Sequence, residues 1–344
     1  MVTLIDVARV AGVSRSTASY ALRLDPRITK ETTQKVLEAA EKLHYTANLS
    51  ARSLKSFRTG VIGLSIFELD KPYPAEISAA ISREARRHGL ETIVQQTDGT
   101  KEQEISSLRK VTSQLCDGTI FCPAKTSSRE IAALSGNKPL IMMDDISEDP
   151  LFDNVFTPCE AASAVAIRHL IQIGCKQIVV FGGHYEWLAD DTTLASVGTR
   201  RVNGALEAFD KANMSVDEKN FFYTLWDAEE ARRSMHRLIE SEQQFDGLFC
   251  MTDSIAIGAL RGLNDYNIKV PDDVAVIGFD GISEGEFLSP SLSTIKVDFN
   301  DMAKKTVGLL LDRMKEETDG PKRPINNLYA DFTLVQREST TISR

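Results

Sequence analysis

The sequence predicts an α/β protein with a small all-α head and a larger body of two doubly wound lobes. Three observations carry that prediction. Two short helical patterns, broken by one glycine, fill residues 3–22. From Gly60 onward, apolar runs of strand length alternate with helical patterns. These runs are also more numerous than one sheet comfortably carries, so they divide between two.

In the head, the run TLIDVARVAGVSRSTASYAL places Val7, Ala8 and Ala11 on one apolar helical face. Thr3 and Asp6 have capping-box spacing, Gly12 can end the first helix, and Ser14 offers an N-cap for a second. The second helix would turn Ala18, Ala21 and Leu22 inward, leaving Arg15, Ser16, Ser19 and Tyr20 outward. Small inward faces let two helices cross closely, as a helix-turn-helix requires, and a polar, basic outward face suits a major groove. A plain helical hairpin fits the same pattern. A turn around Asp25 and Pro26 follows, then a third helix capped by Thr29 and running to about Leu43, with Val36, Leu37, Ala40 and Leu43 on one face. Residues 45–58 set Asn48, Leu49, Ala51 and Leu54 among Arg52, Lys55 and Arg58, a basic linker with conditional helical potential.

In the body, the strand-like runs are residues 61–67, 92–96, 118–124, 140–145, 177–183, 221–226, 247–251, 274–280 and 293–299, with strand-like composition returning after Pro324. Helical patterns lie between them, among others at 75–88, 102–115, 160–173, 201–213, 228–241 and 254–266. The runs are continuously apolar, as strands covered on both faces should be, and their alternation with helices means parallel sheets.

The net charge of −9 taken whole argues against a polyanionic partner, but its distribution along the chain points the other way. Residues 1–58 hold ten Lys and Arg against five Asp and Glu, and the remainder thirty against forty-four. A basic head on an acidic body directs nucleic acid to the head. There is no signal-peptide pattern and no run of ~18 apolar residues, so a cytoplasmic chain is expected. The five cysteines have no C-x-x-C spacing and read as reduced core thiols.

Ligands of open α/β sheets bind beyond the carboxyl ends of the strands. Those ends carry Tyr73 (after Phe67), Asp144 and Asp145, Trp226 and Asp227, Thr252 and Asp253, Asp280, and Asp298 with Phe299. Acids with aromatics suit a sugar, since carboxylates accept from paired hydroxyls and an aromatic face covers a pyranose. Arg201 can donate to ring oxygen or hydroxyls. Asp253 also reads as the N-cap of the helix it precedes, Asp144 or Asp145 as a turn residue, and Trp226 as core. Phosphate-loop, dinucleotide-binding, nucleophile-elbow and zinc-protease motifs are all missing, and the five histidines are dispersed, so no catalytic or metal site and no cofactor is expected.

Together these residues resemble the LacI/GalR family of bacterial transcriptional regulators. The resemblance is carried by the head run, by LHYTANLSARSLKS (43–56), and by PYPAEI (72–77), RVNG (201–204), FCMTDSIAIGAL (249–260), VPDDVAVIGFDG (270–281), LSTIKVDF (292–299) and QREST (336–340), in family order. It implies a helix-turn-helix head at 1–46, a hinge at 47–58, and a periplasmic-binding-protein-like (type I) effector domain at 59–344. Lobe 1 would span about 59–158 and 291–321 and lobe 2 about 159–290 and 322–344, with crossings near 159, 290 and 322 and the strand at 293–299 back in lobe 1. It also implies a homodimer or tetramer on pseudo-palindromic operator DNA. Thr3, Ser14, Arg15, Ser16, Thr17 and Tyr20 match DNA-facing positions. Asn48, Ala51, Leu54 and Lys55 match the hinge, with Leu54 as a minor-groove wedge. Tyr73, Asp144, Arg201, Trp226, Asp253, Asp280 and Phe299 match ligand-contact positions. Ala47 stands where the family commonly has proline, and the 184–200 stretch is longer than usual.

The function expected is a repressor whose operator affinity is set by a small ligand, a sugar by the acid and aromatic set. A nucleobase- or phosphoprotein-responsive regulator of the same family and a sugar-binding protein without a DNA target are the alternatives.

Overall fold

The computed structural model describes residues 2–22, 25–45, 59–109, 115–145, 147, 149–185, 197–316 and 323–341. The chain divides into two compact units, residues 1–59 and 60–344.

The head consists of α1 (Leu4–Val10), α2 (Arg15–Ala21) and α3 (Lys30–Lys42). Thr3 and Asp6 close the capping box, with Thr3 N donating to Asp6 Oδ2 at 2.9 Å. Gly12 breaks the chain at φ +65°, and Ser14 Oγ accepts from Thr17 N at 3.0 Å to open α2. Val7, Ala8, Ala18, Ala21, Val36, Ala39 and Ala40 form its small core. Alanine at these crossings lets the three helices meet around so few side chains. Leu37, expected inward, is 38% exposed; Ala39 holds the inward place instead.

The body begins with β1 (Val61–Ile66), α4 (Pro72–Arg87), β2 (Glu91–Gln96), α5 (Lys101–Ser107), β3 (Gly118–Phe121), α6 (Ser128–Ser135), β4 (Leu140–Met143) and β5 (Asp153–Phe156). It continues with α7 (Cys159–Gln172), β6 (Ile178–Phe181), α8 (Val197–Lys211), β7 (Phe221–Phe222), α9 (Ala228–Glu240), β8 (Gly247–Cys250), α10 (Asp253–Asp265), β9 (Ala275–Asp280) and β10 (Ser293–Val297). α11 (Phe299–Met314), β11 (Asn327–Tyr329) and β12 (Phe332–Val335) complete it. One sheet has the order β11-β5-β4-β3-β1-β2, the other β12-β10-β9-β8-β6-β7. All pairs are parallel except β10 with β12. Strand order reverses beside β1 in the first sheet and beside β6 in the second, and a crevice for ligand opens at such reversals.

The lobe boundaries differ from expectation. Residues 293–297 do not return to the first lobe: β10 pairs with β9 and β12 in the second sheet. It is α11 that returns, laying Leu310 so close to β3 that a Cβ on Gly118 would stand 2.9 Å from it. The crossings therefore fall at residues 157–158, 298 and 330–331, tied by Ala330 N to Phe156 O (2.9 Å) and Asp298 N to Asp331 O (2.8 Å). The physical reason is that a strand's composition records burial on both faces, which either sheet supplies equally. The strand-like stretch after Pro324 divides between the sheets, Asn327–Tyr329 joining the first and Phe332–Val335 the second. Phe299, read as strand, is the first residue of α11, capped by Asp298, which accepts from Asn300 N and Asp301 N at 3.0 Å. The run 221–226 is strand only at Phe221–Phe222, and the stretch expected as helix at 102–115 opens with the α-helix Lys101–Ser107.

Candidate ligand cleft and nucleic-acid interface

In the head, Ser14, Arg15, Ser16 and Tyr20 are exposed on or beside α2, and Thr17 is half-buried. Ser14 Oγ is shared with Ser16 Oγ and Thr17 Oγ1, each at 2.8 Å, so these hydroxyls form one polar patch. The Arg27 guanidinium lies 4.5 Å from the Tyr20 ring centroid and pairs with Asp25 at 2.7 Å. Tyr20 is thereby held against a cation rather than left to rotate freely. Thr3 is exposed, but its hydroxyl is committed to Asp6 at 2.7 Å. Asn48, Ala51, Leu54 and Lys55, the expected hinge contacts, lie outside the described residues.

In the body, a cavity of about 700 Å³ opens at the two strand reversals, with Tyr73, Asp144, Arg201, Trp226 and Asp280 among its lining. Arg201 sits on α8, where the fourth residue of RVNG explains its place. A Cβ on Gly204 would collide with the Glu160 carbonyl, so glycine lets α8 press onto α7. That approach buries Arg201, which is 3% exposed. Its Nη2 donates to Asp280 Oδ1 at 3.1 Å, its Nη1 donates to the Met251 carbonyl, and its guanidinium stacks 3.7 Å from the Phe279 centroid and 5.2 Å from the Trp226 ring. Burial pushes the Asp280 carboxyl up to about 6, with the Arg201 charge opposing. Trp226 Nε1 donates to Gly182 O at 3.1 Å. With its only polar atom so used, the indole serves the cavity as an apolar surface.

On the first lobe, Asp144 takes a left-handed φ of +54° and accepts from Thr157 N (2.6 Å) and Thr157 Oγ1 (2.8 Å). Burial raises its carboxyl, against the pull of those hydrogen bonds. Tyr73 joins the same network, its hydroxyl 3.1 Å from Thr157 Oγ1. Asp144 therefore buttresses a crossing between lobes as well as lining the cleft. Contacts that bridge the lobes include Lys71 Nζ to Asp227 Oδ2 at 2.8 Å and Ser283 N to Glu76 Oε1 at 3.0 Å.

Two expected residues do not line the cavity. Phe299 stands behind Tyr73, edge-on at 5.4 Å between centroids. Asp253 is neither the helix cap nor a lining group. Thr252 is the cap, its hydroxyl accepting from Ile255 N at 3.1 Å, and it is Thr252 that lines the cavity. Asp253 is fully buried and accepts from Gly281 N (2.7 Å), Ile282 N (2.9 Å) and Thr294 Oγ1 (2.6 Å), fastening the turn after Asp280 to β10. Successive residues at a helix start are rotated by about 100° around its axis, which separates neighbours that sequence cannot rank. The lining residues Lys71 and Thr126 carried no strand-end signal and were missed. The cavity thiol Cys122 is held protonated by burial.

The profile of bacterial regulatory proteins of the lacI family matches residues 3–48, and that of the periplasmic binding protein-like domain matches residues 167–340. The chain belongs to the LacI family. The HTH-type transcriptional repressor PurR of Actinobacillus pleuropneumoniae serotype 3 is 29% identical over 320 residues, 92% of each chain. A LacI-family regulator from Sanguibacter keddieii is 30% identical, with a TM-score of 0.73 over 82% of this chain and 99% of its own. The lac repressor dimer bound to operator, 23% identical, shares the fold with a TM-score of 0.83 over 99% of both chains. This LacI-family chain is thus a DNA-binding transcriptional regulator with a ligand-binding body, and its homologues are repressors rather than enzymes. Among the described residues, no helix is long and apolar enough to cross a membrane.

Proposed function

We propose that this regulator is a homodimeric repressor whose operator affinity is set by a carbohydrate bound between the two lobes of the body. The observation that carries the carbohydrate reading is the Arg201, Asp280 and Trp226 group. A paired donor and acceptor, Arg201 and Asp280, stand beside an indole face in the cavity. A neutral polyhydroxylated ring meets such a site without bringing a buried charge of its own. Ser14, Arg15, Ser16, Thr17 and Tyr20 would meet the major groove, Arg15 through a bidentate contact to guanine. Residues 47–58 would become helical on the operator, with Leu54 wedged into the minor groove and Asn48, Ala51 and Lys55 beside it.

Ligand changes the relative orientation of the lobes, hence the spacing of the paired hinges, with a coupling of ~1–3 kcal/mol between the two sites. The test is titration of full-length protein onto a palindromic operator with and without each member of a panel of sugars and nucleobases. One sugar should shift the operator Kd by about tenfold, and Asp280→Ala should abolish the shift. A response confined to adenine or guanine would replace the carbohydrate reading with a nucleobase one. Leu54→Ala should lower specific affinity and leave nonspecific binding unchanged; unaltered specific affinity would sink the wedge.

A further inference from the structure

Among the described residues, Asp145 Oδ2, Thr126 Oγ1 and Arg201 Nε are buried around the cleft without a hydrogen-bond partner. Arg201 belongs to the group already described. The other two lie on the first lobe, 3% and 4% exposed, and both residues line the cavity.

Sheet order brings them together. β3 and β4 are adjacent, so the segments that follow them run side by side. Ser128 N donates to Ser147 Oγ at 3.3 Å and Leu151 N to Ser128 Oγ at 3.1 Å, stitching one segment to the other. Each segment is also anchored from behind. The buried Glu104 carboxylate accepts from Ala124 N at 2.7 Å and Thr126 N at 2.9 Å. Asp145 Oδ1 accepts from Ser147 N at 3.1 Å and Ser147 Oγ at 2.6 Å. What remains among the described residues is one uncommitted carboxylate oxygen and one uncommitted hydroxyl on these two stitched segments. A buried polar atom without a partner is costly, so a ligand that supplies the partner is strongly favoured. A sugar hydroxyl donates and accepts at once, and so can satisfy Asp145 as donor and Thr126 as acceptor.

Size points the same way. At the packing density of protein interiors a hexose occupies roughly 200 Å³. The cavity measures about 700 Å³ and has room for more than one ring.

We propose that Asp145 and Thr126 form a second subsite, which takes hydroxyls of a second sugar ring, so that the effector is a disaccharide rather than a monosaccharide. This rests on the carbohydrate reading of the cleft. Calorimetry of the full-length chain with cellobiose, maltose, lactose and trehalose, each against glucose and galactose, tests it. One disaccharide should bind at least about tenfold tighter than its own component sugars. Asp145→Asn and Thr126→Val should each weaken that disaccharide about fivefold or more while monosaccharide binding stays put. Thr126→Val is isosteric and removes only the hydroxyl, so it reports even if Asp145→Asn misfolds. A monosaccharide that binds as tightly as its disaccharide, or variants that weaken both equally, would overturn the second subsite and leave the carbohydrate reading standing. Silence from every saccharide would overturn both.

Discussion

Arg201 Nη2 donates to Asp280 Oδ1 at 3.1 Å in a setting that excludes water from both side chains. Removing one member of such a pair strands the other charge, which typically costs about 3–5 kcal/mol. Arg201→Met should therefore lose about that much in urea denaturation and lose ligand binding as well. Asp280→Asn should lose less, since an amide oxygen still accepts from Nη2. Equal losses would mean that charge rather than the hydrogen bond holds the pair.

Asp253 makes the opposite forecast. Burial first, and the adjacent Asp280 charge second, hold its carboxyl well above the ordinary range. The folded protein thus keeps protons that the unfolded chain sheds at a pH of about 4. The contribution of these two carboxyls to stability is fully present below that range and is lost as pH rises through the folded values, of which that of Asp280 is about 6. Asp253→Asn can keep all three contacts: its amide oxygen accepts from Gly281 and Ile282, and its nitrogen donates to Thr294 Oγ1, which retains its own donation to Ile295 O at 3.3 Å. Unfolding free energies of the variant from denaturant titration should match wild type near pH 4 and exceed it at pH 8 by roughly 1–3 kcal/mol. A less stable variant at pH 8 would contradict this account.

Gly204→Ala should be among the most damaging single-methyl changes in the body. The obstacle is the backbone of α7 at Glu160, not a side chain that can rotate. A loss of about 3 kcal/mol is expected, accompanied by weakened ligand binding as α8 carries Arg201 outward. Thermal unfolding and ligand titration read the two effects separately. Gly308→Ala, where an added Cβ would meet no neighbouring element within 4 Å, is the control and should leave stability unchanged or raise it by up to ~1 kcal/mol.

Lys71 and Asp227 bridge the lobes at 2.8 Å with side chains 30% and 41% exposed, so the bond is screened and weak. Lys71→Met should reduce ligand affinity by no more than about fivefold, mainly through a faster off-rate, and high salt should mimic it. Stopped-flow Trp226 fluorescence would measure this. A change confined to the on-rate would argue against a closure contact.

Arg15 is exposed at the start of α2 beside the Ser14, Ser16 and Thr17 patch. Arg15→Ala should weaken a cognate operator by ~1–3 kcal/mol and relax its preference at one base pair per half-site. Mobility shifts across single-base operator variants would check it. Uniform weakening across all of them would reduce Arg15 to a phosphate contact.

Much of this protein was legible in the order of its residues. Thr3 with Asp6, Gly12 and Ser14 marked the head helices because caps and breaks are local chemistry, satisfied within a turn or two. Continuous apolar runs marked the strands because burial on both faces leaves no polar alternation. Tyr73, Asp144, Trp226 and Asp280, all of which line the cavity, were legible because strand ends of a parallel sheet face one crevice, and Arg201 because it opens a helix beside them and matches the family's R-x-x-G. The tertiary structure alone decided which sheet claims β10, since apolar composition is the same in either. It alone decided that Thr252 rather than Asp253 faces the cavity, a matter of side-chain direction at one helix end. It also decided that the segments carrying Thr126 and Asp145 run side by side, because β3 and β4 pair. Local hydrogen bonding is written in sequence spacing, whereas partner choice between distant segments is settled only when the chain packs.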